Sequence, residues 1–230
     1  MRYIRRADER GRVDFGWLQS RHSFSFGHYY DPAHMGFSVL RVINDDVVAA
    51  GRGFDTHGHR DMEIISYVVS GSLAHKDSTG TDGIIPAGDI QRMSAGKGIM
   101  HSEYNPSETD TANFLQIWIL PQHRGIAPSY AQRTISQNGS VTPLITPDGS
   151  NGTLSINQDM SLFRVFLQDN QSQSFSTHAR WGYLHVINGS LDIDGSIYRA
   201  GDAIGLSEED TITITASQTA EALWFDLPPG

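Results

Sequence analysis

The hydrophobic residues of this chain fall in short alternating or continuous runs, with little helical period. The runs GFSVLRVIN (36–44), MEIISYVVSGSLAH (62–75), FLQIWILP (114–121), SLFRVFLQ (161–168), WGYLHVINGSLDIDG (181–195) and DTITITA (210–216) are rich in Val, Ile, Tyr and Phe. Gly, Asn, Asp and Pro punctuate them. Short runs of β-branched and aromatic residues between turn formers predict strands, and many such strands predict an all-β sandwich or barrel. Residues 129–137 are the exception and are read as a turn or two of helix.

The pattern also repeats. YVVSGSL (67–73) in the first half answers HVINGSL (185–191) in the second. Each is followed by Ala-Gly-Asp, at 87–89 and 200–202, and each half closes on an apolar strand ending in Leu-Pro, at 117–121 and 224–228. Three landmarks in one order imply two β-domains of one fold. The polar stretch 137–152 supplies the boundary, giving residues 1–136 and 137–230 as the two units.

Composition narrows the function. The chain has 230 residues, a formal charge of −9 and no cysteine. A disulfide framework, a thiolate nucleophile and Cys-ligated metals are therefore excluded. A nucleic-acid binder needs a basic stripe. The only basic cluster, Arg2, Arg5, Arg6, Arg10 and Arg12, is interrupted by Asp8 and Glu9 and is read as a solvated edge. No apolar run approaches a membrane span. MRYIRRADERG lacks the apolar stretch of a secretory signal, so a cytoplasmic location is expected, with neither nucleic acid nor membrane as partner.

The chemistry concentrates in GRGFDTHGHRDME (51–63) and GDIQRMSAGKGIMHSE (88–103). On a strand, residues i and i+2 share a face. His57 and His59 form one such pair, and His101 and Glu103 form another. Two pairs converging inside one barrel give three imidazoles and one carboxylate, a set suited to a borderline divalent metal with open positions. Gly51, Gly96 and Gly98 permit the turns that bring the strands together. Aligning the repeats sets His57 and His59 against Phe175 and Thr177, and His101 against Ile214, so the second half lacks the ligand set. His178 and His185 are read as ordinary polar or packed histidines. The widely spaced His22, His28 and His34 are read as loop or surface residues. Phe24 and Phe26 are read as core, Gln116 and Trp118 as bordering the cavity if their face lines the barrel, and Arg60 and Lys97 as solvent-exposed.

G-x5-H-x-H-x3-E followed by a Gly-rich stretch and a further His resembles the two cupin motifs. Seven residues separate Glu63 from Gly71 where six are usual, and Gly96 stands where Pro is usual. Those departures, SAGKGIMHSE (94–103) and HSFSFGHYYDP (22–32) resemble the pirin branch, over essentially the whole chain. The resemblance implies a bicupin of two tandem β-barrels with an empty C-terminal domain. It implies His57, His59, His101 and Glu103 as ligands, with Glu63 beside them. It also implies a metal-dependent quercetin 2,3-dioxygenase that cleaves a flavonol with dioxygen to a depside and carbon monoxide, with Glu103 as general base. Iron(II) is the first choice for that oxygen chemistry; manganese, nickel, copper, cobalt and zinc suit the same donors. A monomer is expected. The alternatives are a pirin-type regulatory protein, metal- or redox-dependent and without turnover, and a small-molecule-binding bicupin.

Overall fold

The computed structural model describes residues 2–208 and 210–230. The first half builds two sheets. One has seven strands in the order Ser129–Thr134, Asp89–Ser94, Glu63–Ser70, Ala112–Ile119, Leu40–Val48, Leu18–His22 and Gly11–Asp14. The other has four, in the order Gly53–His59, Ile99–Tyr104, Ser72–Asp77 and Asp82–Pro86. The second half contributes eight strands to a nine-stranded sheet around the long strands Trp181–Ile193 and Thr211–Leu227, the ninth being Arg2–Arg5. The predicted strand runs are strands. Residues 129–134 also form a strand, not a helix: they pair antiparallel with Asp89–Ser94 along a sheet edge. That edge offered ladder hydrogen bonds to a segment with no apolar stripe to hold a helix.

Alternation assigns each face of the seven-stranded sheet. Ile64, Ser66 and Val68, like Phe114, Gln116 and Trp118, face the four-stranded sheet. Their neighbours Ile65, Tyr67, Leu115, Ile117 and Ile119 enter a core shared with Leu144, Leu162, Tyr183, Leu223 and Phe225 of the second half. The sheet is thus buried on both faces, which explains its near-continuous apolar strands. Inside the second half Phe175, Ile214, Leu184 and Trp224 fill the space.

The repeated glycines have a common cause. Gly71 and Gly189 adopt φ of 72° and 77°, and a Cβ on Gly189 would sit 2.3 Å from the Thr219 carbonyl oxygen. A side chain is excluded there by conformation and by space.

The basic N-terminal cluster is a solvated edge only in part: Arg2 and Arg12 are exposed, whereas Arg5 and Arg10 are buried. Arg2–Arg5 pairs with Ala203–Leu206, so the chain begins as an edge strand of the second half's sheet. Arg5 is buried and donates to the Ser23 carbonyl at 2.9 Å and the Tyr29 hydroxyl at 2.7 Å. Arg6 pairs with Asp202 at 3.2 Å, and the mostly buried Arg10 pairs with Asp45 at 3.3 Å. Carboxylates of the two halves hold Arg6 and Arg10, neutral oxygens hold Arg5, and burying such charges demands such partners.

Gly96 joins the fold to the predicted site, because it turns the chain just before Ile99–Tyr104. Its φ is 47°, and a Cβ would lie 2.1 Å from the Ile126 carbonyl oxygen. Gly96→Ala is expected to lower stability by about 1–3 kcal/mol, seen as a lower urea midpoint at constant slope. An unchanged midpoint would contradict this packing.

Candidate metal centre

Gly53–His59 runs antiparallel to Ile99–Tyr104 with His57 directly opposite His101. Strand alternation turns His57, His59 and His101 to one point. Their ring centroids are 4.5–4.9 Å apart, and one ring nitrogen from each lies within 4.8 Å of the others. Nε2 of His57 and Nε2 of His101 approach to 3.1 Å. His57 Nδ1 is 2.7 Å from the Asp55 carbonyl, which places the proton on Nδ1 and leaves Nε2 as the free donor. Burial, then the neighbouring imidazoles, push His59 down to about 4 and His101 down to about 3. Both rings are neutral at physiological pH, the state a metal ligand requires.

Glu103 lies in the same interior and is 1% exposed. Gln116 Nε2 donates to one carboxylate oxygen at 2.7 Å, and Ser66 Oγ lies 3.2 Å from the other. Gln91 Nε2 donates to Ser66 Oγ at 2.9 Å. Burial pushes the Glu103 carboxyl up to about 7 against those hydrogen bonds, and Asp46 adds to the rise. Three imidazoles and a desolvated carboxyl, without sulfur, fit a divalent cation that would compensate the buried negative charge. Among the described residues, the clusters able to hold a metal ion lie in the first half. At the matching second-half positions Phe175 stacks on Trp224 with centroids 4.5 Å apart, and Ile214 is fully buried.

A cavity of about 70 Å³ opens beside these side chains, walled by Phe26, Phe54 and Trp118 with Asn44, Asp46 and Gln116. Trp118 stands edge-on to His59, centroids 5.0 Å apart. Gln116 and Trp118 therefore border the cavity, as their shared face implies. Phe26 differs from its reading as core: it packs edge-on against Trp118, while Phe24 alone enters the core. A neighbouring groove of about 390 Å³ shares His59 and is lined by Arg60, Ser78, Ile99 and Met100.

Glu63 is not beside the ligands. It lies on the opposite face from Ser66, where it accepts from Ser94 Oγ at 2.8 Å and the Asn157 amide at 3.3 Å, toward the second half. His22 is buried rather than on the surface, and burial followed by Arg10 lowers it to about 4. His28 is exposed and His34 bonds to the Tyr3 hydroxyl at 2.6 Å, so these three do not converge. Arg60, Lys97 and His178 are exposed, and His185 is buried.

Sequence reasoning missed Asn44, Asp46, His75 and Asp77. Asp46 is buried in the cavity wall, and burial raises its carboxyl to about 7. Polar residues at 44 and 46, on one face of an otherwise apolar strand, were the available signal. His75 and Asp77 repeat the i,i+2 spacing just after Gly-Ser-Leu. His75 completes a second donor cluster with His101 and Glu103.

The raised Glu103 carboxyl generates a test on metal-free protein. Below its ordinary value of 4.5 the group is protonated folded or unfolded and costs nothing. Above about 7 the folded state must bear a buried carboxylate. Glu103→Gln is therefore expected to be more stable than wild type at pH 8, by up to on the order of 3 kcal/mol, with the gap closing as pH falls through 7 toward 4.5. Denaturant titrations at several pH values measure it; a pH-independent gap contradicts the assignment.

Comparison with known proteins agrees with this architecture. The Pirin family model matches residues 4–119, and the model described as quercetinase C-terminal cupin domain matches residues 144–227. The quercetin 2,3-dioxygenase of Escherichia coli (strain K12) is 47% identical over 230 residues, covering all of both chains. The crystal structure of YhhW from Escherichia coli superposes with a TM-score of 0.97 at 46% identity, over 100% of this chain and 99% of that one. The bacterial pirin YhhW in complex with nickel(II) gives 0.95 at 45% identity over the whole of both chains. The chain belongs to the pirin family and is a bicupin.

Proposed function

We propose that this chain is a metal-dependent quercetin 2,3-dioxygenase. It holds one divalent cation on His57, His59, His101 and Glu103. Residues 1–136 carry the metal site, with Arg2–Arg5 lent to the sheet of residues 137–230, the unit without ligands. The observation that carries the reading is the cluster of His57, His59 and His101 ring nitrogens within 4.8 Å of one another, with Glu103 lining the same aromatic-walled cavity as His57 and His59. The full-length relative named as this enzyme supports the reaction. We assign iron(II) as the working metal for its dioxygen chemistry; the nickel(II) complex of a relative makes nickel the first alternative. We place the protein in the cytoplasm as a monomer, acting on a flavonol and dioxygen. Among the described residues no helix is long and apolar enough to cross a membrane.

When bound, the cation supplies Lewis-acid polarisation and a template for the adjacent 3-hydroxyl and 4-carbonyl oxygens of a flavonol. The rest is the work of side chains. Glu103 accepts the proton of the 3-hydroxyl on a carboxylate oxygen. Gln116 and Ser66 hold the carboxylate in place. Phe26, Phe54 and Trp118 flank the planar rings and exclude water from the reacting edge. The inner cavity takes the oxygen-bearing edge, and the remainder of the flavonol lies toward the groove beside His59 and Arg60. Dioxygen is consumed, and carbon monoxide and a depside are released.

The smallness of the inner cavity favours a second reading, a pirin-type regulatory binding protein without turnover. Turnover separates the two. Iron(II)-loaded protein with quercetin under air is expected to release carbon monoxide catalytically into the headspace, and His57→Ala and Glu103→Ala are expected to release none. Variants as active as wild type would refute the site. Wild type that binds metal without releasing carbon monoxide would refute the reaction and favour the binder.

Trp118→Ala tests the substrate wall. It is expected to raise KM for quercetin while metal stoichiometry stays at one, since the indole touches His59 without offering a donor to the cation. An unchanged KM would remove Trp118 from the substrate wall.

A further inference from the structure

Behind His101 and Glu103, the strand Ser72–Asp77 carries a pair that the proposed reaction leaves unused. His75 stands opposite Glu103, and Asp77 opposite His101. Both side chains are fully buried, and His75 Nε2 lies 2.9 Å from Asp77 Oδ2. The other oxygen, Oδ1, accepts from the Thr79 amide at 2.8 Å, the Thr79 hydroxyl at 2.6 Å and the Thr81 amide at 3.2 Å. Burial alone would raise this carboxyl, yet the hydrogen bonds from His75 and Thr79 hold it down at about 2. With Oδ1 taken by three donors, Oδ2 is left as the acceptor that faces His75.

An acceptor at Oδ2 fixes a proton of His75 on Nε2, so Nδ1 is the ring nitrogen left to act as an acceptor. That Nδ1 is buried and has no hydrogen-bond partner. His101 presents the complementary problem. Its Nε2 points at His57 Nε2, and its Nδ1 is also buried without a partner. A His that gives Nε2 to a metal carries its proton on Nδ1, and that N–H needs an acceptor. The two rings have centroids 5.4 Å apart, and a ring nitrogen of each lies within 4.8 Å of the other and of Glu103. One water spans that distance, or a small shift of His101 closes it. The Tyr130 ring packs 4.5 Å from His75 and restrains its plane.

We propose that Asp77 and His75 are positioning residues for the metal. Asp77 holds His75 in the Nε2–H tautomer, and His75 Nδ1 accepts the Nδ1–H of His101, aiming His101 Nε2 at the cation. The proposal rests on the metal-centre reading above. It makes the strand after the Gly-Ser-Leu landmark a working part of the centre, although it gives no ligand.

Asp77→Asn tests it with almost no change in shape. The amide oxygen takes the place of Oδ1 on the Thr79 and Thr81 donors, so the amide NH2 faces His75. His75 then flips its proton to Nδ1, setting N–H against N–H at His101. The measurement is nickel(II) affinity of the full chain by chelator competition, with folding checked by circular dichroism. Asp77→Asn is expected to lose about 10–100-fold in affinity. His75→Gln, whose amide reaches the Nε2 position only, is expected to lose as much. His75→Asn sets its amide oxygen near the Nδ1 position and is expected to keep most of the affinity. A space-filling role predicts no such ranking. If His57→Ala abolishes binding but Asp77→Asn and His75→Gln match wild type, the relay is overturned and the centre stands. If both His75 variants lose affinity while Asp77→Asn does not, His75 acts as a ligand or a filler and the relay is again overturned. If wild type and His57→Ala bind alike, the centre itself is wrong and the relay falls with it.

Discussion

The period of two along Glu63–Ser70 and Ala112–Ile119 is the constraint on which the other features depend. These strands lie in the middle of a sheet that has no wet face. Every second residue belongs to the core between the halves, and every other one looks into the first barrel. A slip of one residue would send Ser66 and Gln116 into the apolar interface and Ile65 and Ile117 onto Glu103. The register is therefore fixed by two penalties at once: stranding polar groups in the shared core, and losing apolar burial there. The polar site is held rigidly because the far side of the same sheet lies in the largest cluster of buried apolar side chains among the described residues.

Within that frame the site is a deliberate electrostatic deficit. Glu103 and Asp46 are buried carboxyls, both raised to about 7, and His59 and His101 are rings kept neutral by the same burial. Without a cation this arrangement costs stability at neutral pH, since a desolvated carboxylate finds only neutral hydrogen-bond donors there. A divalent ion reverses the sign for the carboxyl and uses the lone pairs that neutrality preserves on the rings. Apolar clusters flank this polar layer, Leu73, Ile85 and Phe114 in one and Ile64, Met93 and Ile99 in the other.

Much of this was legible in the sequence, for a local reason. His57 with His59 and His101 with Glu103 are i,i+2 pairs, and a strand places such pairs on one face whatever the tertiary structure. The repeat was legible because Gly71 and Gly189 obey the same backbone requirement. What failed depended on neighbours distant in sequence. Glu63 sits four residues after His59, but on a strand of the other sheet, and the parity of that strand points it at Asn157. Phe26 alternates with Phe24, yet the chain bends at the bridge between Phe26 and Tyr29 and sends the second ring to the cavity. The basic N-terminus reads as solvated until Asp202 and Asp45 arrive from remote segments. Residues 129–134 became a strand because Asp89–Ser94 had an open edge.

The second half shows what this fold does when freed from chemistry. It keeps the glycine turns, the strand order around its two long strands and the closing Leu-Pro. Where the first barrel has imidazoles, it has Phe175 stacked on Trp224 and a buried Ile214. An apolar interior contributes stability without the desolvation cost of buried carboxyls. A barrel so filled can bear the deficit of its neighbour, but only if the two cannot separate. The shared core provides one tie, and the N-terminal strand paired with Ala203–Leu206 provides another. Arg5, inside that strand, reaches back to Ser23 and Tyr29, at the start of the block that delivers Phe26 to the cavity wall. The segment that fastens the stable half to the chain thus also positions part of the site in the costly half, so the stability of one and the geometry of the other are set by the same few residues.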